Sequence, residues 1–449
     1  MPDLAIDRLG RLGEIIAHKR VEVAERLAGA DLSPAQPTTR SLVAAMAQPG
    51  ARFIFEYKRR SPSEGALGET LDPGAVARAY AGVADGMSVL TDARFFGGSL
   101  DDLKAARAGF DGPILAKDFV VDVRQIAEAR IAGADAVLAI LSVLDDDEVR
   151  GVMAEAKRLG MDVLVEVHDE AEMRRAVVLR AALIGINNRD LKRFTTDLGV
   201  TERLAGMAGN ALVISESGIV NRADIDRLVR HVDGFLIGST PMKSGDPHGE
   251  ARALAFGRVK LCGMRNAGDL RAARHAAYVG LVFVPGTPRD VTIDQALAMI
   301  AEVPDHPPLV AVFRDAEEHQ VTDIAQQLPL AAIQHHRPAY DARGTTDVET
   351  WLAETPGDPV RAADRILFDN GRGGTGETFD WSTIANRPEL PKALLAGGIG
   401  SHNAVAARQV GAYALDVGSA MDDRPGVKSH ARIALLFEIL RPISRHKDQ

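Results

Sequence analysis

Two lysines and three glutamates recur at the ends of short apolar runs in the first half of the chain. They sit in Glu56-Tyr57-Lys58, Lys117-Asp118-Phe119, Glu166-Val167-His168 and Ser215-Glu216-Ser217, and Asn187-Asn188-Arg189-Asp190 holds an equivalent position. If the first of these is a strand, alternation puts Glu56 and Lys58 on one face. Carboxylates and ammonium groups gathered in one cavity perturb one another's proton affinity, which is how an acid and a base are obtained near neutral pH. Any one of them could be a solvated loop charge. Their recurrence at one end of successive runs points to a shared cavity.

The second half offers a different pair. Cys262 closes the run Val259-Lys260-Leu261, and Asp369 opens the Gly-rich stretch Asp369-Asn370-Gly371-Arg372-Gly373-Gly374-Thr375-Gly376. A lone Cys is as readily a small buried apolar residue, and a Gly-rich loop alone is weak evidence of a site. A thiolate and a carboxylic acid at opposite strand ends can nevertheless act as base and acid across a bound sugar. The two halves also share a turn pattern: Ser217-Gly218-Ile219 precedes Gly238-Ser239, and Gly397-Gly398-Ile399 precedes Gly418-Ser419. The separation from Gly218 to Gly238 equals that from Gly398 to Gly418, 20 residues. In a barrel these turns follow the last two strands, where main-chain N–H groups, a helix start and a Ser hydroxyl can bind phosphate. Ordinary strand-to-helix turns would look the same in either half alone.

The elements that must position these groups follow from the periodicity. Between residues 50 and 240 lie eight short runs rich in Val, Ile and Leu: 53–55, 87–90, 114–116, 136–141, 163–167, 183–186, 212–214 and 235–237. They do not alternate, as expected of parallel strands buried on both faces. Amphipathic stretches such as DVRQIAEARIAGA and DDEVRGVMAEAKRLG separate them. Eight strand-helix units imply a (β/α)8 TIM barrel; an open doubly wound sheet is the alternative, but no GxGxxG follows the first strand. A second series begins after Gly257, at 259–261, 281–284, 309–313, 331–333, 366–368, 393–396 and 414–417, with an eighth run needed near 348–352. The expected architecture is two consecutive α/β TIM barrels, residues 1–256 and 257–449, the second compact.

Composition bounds the function. The 449 residues are 46% hydrophobic and 26% charged, ordinary globular usage, and a net charge of −9 without a basic run argues against general nucleic-acid or anionic-membrane binding. Cys262 as the single cysteine excludes an intramolecular disulfide, and no zinc-ligand spacing is present. The N-terminal MPDLAIDRLGRLGEIIAHKR lacks the apolar core of a signal peptide, and no run approaches the roughly 18 apolar residues of a membrane span. A reducing, cytoplasmic setting is expected.

EYKRRSPSEG, LAKDF, SVLDDD, VEVHDE, INNRDL, ISESGI and FLIGS, in that order over about residues 8–250, resemble indole-3-glycerol phosphate synthase of tryptophan biosynthesis. The resemblance implies decarboxylation and ring closure of carboxyphenylamino-deoxyribulose 5-phosphate to indole-3-glycerol phosphate. It implies Lys117 as general acid, Glu166 as its acid/base partner, Glu56 orienting the lysines and Lys58 pairing with a carboxylate. Asn187, Arg189, Glu216 and Ser217 would position the substrate, with Ser61, Gly218, Gly238 and Ser239 in its binding. VKLCGM, TPRD, DNGRGGTGETFDW, LAGGIG and LDVGSA are similar to phosphoribosylanthranilate isomerase, the preceding enzyme of that pathway. This second resemblance implies an Amadori rearrangement in which Asp369 protonates the ribose ring oxygen and Cys262 removes the C2′ proton. Arg289 would hold the anthranilate carboxylate, and His336, Gly397, Gly398, Gly418 and Ser419 would complete the substrate and phosphate site. Neither half should need a metal or organic cofactor. The implied partners are phosphorylated anthranilate derivatives, and a monomer is expected because fusion replaces association.

The second half departs from the isomerase pattern at Gln334-His335-His336-Arg337, where the family has Gln-Leu-His-Gly. Only about ten residues separate Arg337 from the fifth strand near Val348, too few for a full helix with both connections, so one barrel helix should be lost or reduced to a turn. A catalytically silent second barrel is therefore a competing reading, which burial of Cys262 away from any cavity would favour. A different phosphosugar isomerase or aldolase is another, resting on fold analogy alone and explaining none of the first-half motifs; a Schiff-base aldolase would need an isolated lysine of lowered pKa.

Overall fold

The computed structural model describes residues 10–445, except 63, 191–194, 337, 339, 342, 343, 345, 358–360 and 371–375. It contains two closed, all-parallel eight-stranded barrels. The first comprises β1 (Arg52–Tyr57), β2 (Gly86–Leu90), β3 (Ile114–Lys117), β4 (Ala136–Ile140), β5 (Asp162–Val167), β6 (Leu183–Asn187), β7 (Leu212–Glu216) and β8 (Gly234–Ile237). Sequential strands pair, and β1 closes the ring by pairing Arg52–Phe55 with Gly234–Ile237 on one side and Ile54–Tyr57 with Gly86–Val89 on the other. Stacked Phe53, Phe55 and Phe235, none exposed, fill the space where the ring closes.

Local chemistry starts and stops the surrounding helices. Asp145 and Glu148 form a reciprocal capping box at the start of helix Asp146–Arg158, whose first turn is acidic and whose last turn is basic, complementing the helix dipole. A further helix, Arg11–Arg26, precedes the barrel. Its Lys19, fully buried, reaches Asp92 at 2.7 Å beyond β2 and Asp118 at 3.0 Å beyond β3. Burying an ammonium is tolerable only with such partners.

The second barrel comprises β9 (Val259–Cys262), β10 (Tyr278–Val282), β11 (Leu309–Arg314), β12 (Leu330–His336), β13 (Glu349–Glu354), β14 (Arg365–Phe368), β15 (Leu394–Leu395) and β16 (Ala414–Val417). Trp351 lies at zero exposure in its core among Val310, Val312, Leu367 and Leu394, with Tyr278 edge-on to its ring at 5.0 Å. The expected helix deficit is present and extends further than the segment before β13. Among the described residues, no α-helix occurs in the connections from β12 to β13, from β13 to β14 or from β14 to β15. The last contains only the 3-10 turns Trp381–Ile384 and Leu390–Lys392. Arg337 lies outside the described residues.

Contacts divide the chain into one unit ending at Ala255 and a second spanning Phe256–Arg441, with the described Pro442–Arg445 belonging to the first. The expected boundary at 256/257 lies beside that division, and residues 442–445 make their contacts within the first unit. The physical reason is a set of tertiary bonds: Ala51 donates to the Pro442 carbonyl at 2.8 Å, and Arg445 Nε meets Asp233 Oδ2 at 3.0 Å.

Candidate active sites

At the C-terminal ends of the first barrel's strands, Glu56 bridges the two lysines. Lys58 Nζ lies 3.1 Å from Glu56 Oε1, and Lys117 Nζ lies 3.7 Å from Oε2. Both orientations follow from alternation along β1 and the terminal position of Lys117 on β3. Lys117 also donates to Glu216 Oε2 at 2.6 Å. Burial opposes its charge, but Glu216, Glu56 and Glu166 outweigh that penalty and raise its pKa. Glu56 goes the other way: despite burial, Lys58 and Lys117 hold its carboxyl below the usual range.

Glu166, at the end of β5, accepts from Asn187 Nδ2 at 3.1 Å and lies 3.2 Å from His168 Nε2. Burial raises its proton affinity, yet His168 and Lys117 prevail and lower it. His168 is gripped on both sides, its Nδ1 lying 3.0 Å from Glu172 Oε2. Burial disfavours its imidazolium, but the two carboxylates push its pKa up to about 10.

Glu216 points behind Lys117 and has no exposed surface. Its Oε1 enters the space a side chain on Gly185 of β6 would fill, and finds no hydrogen-bond partner among the described residues. Burial, reinforced by Glu166 and Glu56, raises its pKa against the pull of Lys117. The next residue, Ser217, has φ 66°, a left-handed conformation rarely adopted by a non-glycine. Asn188 holds this turn, its Nδ2 donating to Ser215 Oγ at 2.9 Å and to the carbonyls of Glu216 and Ser217 at 3.0 and 3.1 Å. Backbone strain anchored this way beside a cavity is a common accompaniment of function.

Of the expected first-half residues, Glu56, Lys58, Ser61, Lys117, Glu166, Asn187, Arg189, Ser217, Gly218, Gly238 and Ser239 line one cavity of about 960 Å3, counting its open mouth. Glu216 does not line it. Sequence reasoning assigned no role to the apolar wall, including Phe96, Phe119 and Leu138, nor to Asp118, although the strand end Lys117-Asp118-Phe119 pointed to the cavity. The wall residues gave no distinct signal, because apolar positions in strands and loops serve the core equally well. Ser63 lies outside the described residues.

The second barrel's cavity, about 1110 Å3 including its mouth, is lined by Cys262, Arg289, His336, Asp369, Gly397, Gly398, Gly418 and Ser419, all the residues expected there. Cys262 is partly exposed, not buried away from the cavity. Two residues before it, Lys260 is unexposed and donates to Asp416 Oδ1 at 2.8 Å. Burial opposes the Lys260 charge, but Asp416 and Cys262 together raise its pKa. Arg289 Nε and Nη2 meet Asp422 Oδ2 at 3.0 and 2.7 Å, and Lys428 takes the other oxygen of Asp422 at 2.6 Å. Gln334 Nε2 and His336 Nε2 are 2.9 Å apart. Gly398, at φ 60°, allows the Gly376 carbonyl to approach to a distance where a Cβ would clash. Arg314 and Asp416, which also line the cavity, were missed. Arg314 ends its strand and Asp416 stands one residue before the end of its own, as Glu56 does in the first half, so the same rule would have found them. Residues 371–375 of the Gly-rich stretch lie outside the described residues. No group of three or more His, Cys, Asp or Glu is arranged to hold a metal ion among the described residues.

Comparisons with known proteins agree along the whole chain. Residues 12–254 match the family described as indole-3-glycerol phosphate synthase, and residues 259–439 match N-(5'phosphoribosyl)anthranilate isomerase. The tryptophan biosynthesis protein TrpCF of Salmonella typhi is 38% identical, the match covering 96% of this chain and 99% of that protein. TrpCF of Yersinia pestis is 40% identical over 87% of this chain and 84% of its own length. Among solved structures, phosphoribosyl anthranilate isomerase from Thermus thermophilus is 29% identical over 41% of this chain and 98% of its own, with TM-score 0.37.

Proposed function

The chain belongs to the bifunctional family that joins indole-3-glycerol phosphate synthase to phosphoribosylanthranilate isomerase, and from that membership we propose which side chains carry each reaction. The protein is an enzyme of tryptophan biosynthesis with both activities: a decarboxylating, ring-closing lyase in the first barrel and an isomerase in the second.

In the first barrel, Lys117 is the general acid for the substrate's ketone oxygen as the anthranilate ring carbon attacks. The observation that carries this role is the bridge of Glu56 between Lys58 and Lys117, with Glu216 beneath, which holds the Lys117 ammonium charged and aims both side chains. Glu166, ionised and oriented by Asn187 and His168, takes up the proton whose loss restores aromaticity. Arg189 and Lys58 receive the substrate's anionic groups, and Gly218, Gly238 and Ser239 receive its phosphate. Phe96, Phe119 and Leu138 supply an apolar surface for the anthranilate ring.

In the second barrel, Asp369 protonates the ribose ring oxygen. Cys262 removes the C2′ proton from the resulting iminium, with Lys260 two residues before it on the same strand. Arg289, fixed by Asp422, binds the anthranilate carboxylate, with His336 beside it. Gly397, Gly398, Gly418 and Ser419 form the phosphate cradle. The exposure of Cys262 to the cavity speaks against a silent second barrel. The raised pKa of Lys117 speaks against a Schiff-base aldolase. We also read the enzyme as a cytoplasmic monomer acting on small phosphorylated anthranilates and not on nucleic acid, a reading supported by its acidic balance. No helix of the described residues is long and apolar enough to cross a membrane.

Two steady-state assays on the purified protein test the assignment: phosphoribosylanthranilate generated in situ, and its carboxyphenylamino-deoxyribulose phosphate product supplied directly. Cys262→Ala should abolish turnover of the first and spare the second. Turnover of both by this variant would overturn the role of Cys262.

A further inference from the structure

Glu64 does not belong to the reaction as assigned, yet its carboxylate sits among the groups that would receive a phosphate. It lies in the turn of a short hairpin, Arg60–Ser61 paired with Gly65–Ala66, directly after β1. The turn is held locally: Glu64 N–H donates to the Ser61 side-chain Oγ at 3.1 Å and to the Ser61 carbonyl at 3.4 Å. From there Glu64 Oε2 accepts from the Ser239 hydroxyl, Oε1 lies 3.0 Å from Lys243 Nζ, and Arg189 Nη2 is 4.0 Å away. Hydrogen bonds from Ser239 and Lys243 and the charge of Lys58 lower its pKa even though it is partly buried. A hydroxyl and three cations converging on one carboxylate are the donor set an anionic phosphoryl group requires.

We propose that Glu64 is the resident anion of the first site, a carboxylate that occupies the phosphate position between Ser239 and Lys243 and must be displaced by the substrate's own phosphate. The inference rests on the assignment of the phosphate to Ser239. A dianion beside Ser239 and the Glu64 carboxylate cannot share these donors, since like charges at such separation repel strongly. Displacement needs only rotation of the Glu64 side chain, because its backbone bonds are to Ser61 and not to the cradle. The consequence is selectivity. Inorganic phosphate must displace Glu64 with phosphate contacts alone, whereas the substrate adds its carboxylate and aromatic ring. Glu64 thus acts as a specificity-determining residue that weakens every phosphate ligand and penalises the small ones most.

The test is competitive inhibition of synthase turnover by inorganic phosphate in the full chain, comparing the unaltered protein with Glu64→Ala, Glu64→Gln and Ser239→Ala. Far-UV circular dichroism and the melting transition of the synthase barrel report that each variant is folded. Both Glu64 variants should bind phosphate about three- to thirtyfold more tightly, with KM for the substrate falling by more than any change in kcat. Weaker or unchanged phosphate inhibition in both would overturn the proposal, because loss of a merely structural contact does not tighten an anion. Ser239→Ala separates the two ideas: it should weaken phosphate inhibition. If it does while the Glu64 variants do not tighten binding, the resident-anion role alone falls. If it leaves phosphate inhibition unchanged, the phosphate assignment falls and the inference with it.

Discussion

At the scale of single residues, the first site depends on charges that only make sense together. Lys117 has three carboxylates around it, so removing the lysine deletes the proton donor and leaves Glu216 buried without its partner. Lys117→Ala should lower synthase kcat at least about a hundredfold while inorganic phosphate still competes at the cradle. Unchanged turnover would sink the assignment. His168 makes a pH prediction. Its ordinary pKa of 6.5 rises to about 10 in the folded chain, so its pairing stabilises fully below about pH 6.5 and is lost as pH climbs to about 10. His168→Gln should flatten the alkaline fall in melting temperature across that window; identical slopes for the two proteins would contradict it.

Elements bring those residues within reach of each other, and small features of the strands decide how closely. Gly185 on β6 leaves the room that the Glu216 carboxylate of β7 occupies. Gly185→Ala, conservative by sequence standards, should displace Glu216 and Lys117 and reduce synthase turnover at least about tenfold, with isomerase turnover as the internal control. Equal loss of both activities would mean general misfolding instead. Away from the sites, the Asp145 and Glu148 side chains accept from three N–H groups that the helix leaves open, those of Asp145, Asp147 and Glu148. Asp145→Ala should cost about 1 kcal/mol in urea unfolding of the first barrel without changing its KM.

For the whole molecule, the chain's end returns to the unit that its beginning builds. Arg445 meets Asp233, which is almost fully buried and also accepts from the Val213 N–H at 2.7 Å. Arg445→Ala leaves that carboxylate short of its cation, and should destabilise the first barrel by about 1–3 kcal/mol, measured as loss of synthase activity on heating. A melting temperature unchanged for the synthase would show that the pair contributes nothing measurable. The missing helices of the second barrel make a related point, because Trp351 and its apolar neighbours form a core inside the ring of strands, which does not rely on the helices absent among the described residues.

The repeat of apolar runs was legible in the sequence, and with it both barrels, since parallel strands buried on two faces leave non-alternating Val, Ile and Leu that nothing else in this chain mimics. The charged strand ends were legible too: Lys117 and Glu166 stand out because charge rarely terminates an apolar run without purpose. Short length betrayed the lost helix before β13, and the connection from Glu354 to Arg365 is no longer, but the same loss after β14 was not legible, because that connection is long enough to hold a helix. Only the folded chain could decide that Glu216 lies behind Lys117 and not in the cavity, that Phe96 and Phe119 face it, and that Glu64 reaches Ser239. Local pattern fixes which face of an element is apolar; which residues far apart in sequence come within 3 Å depends on strand register and loop path, and those are set by the packing of the whole barrel.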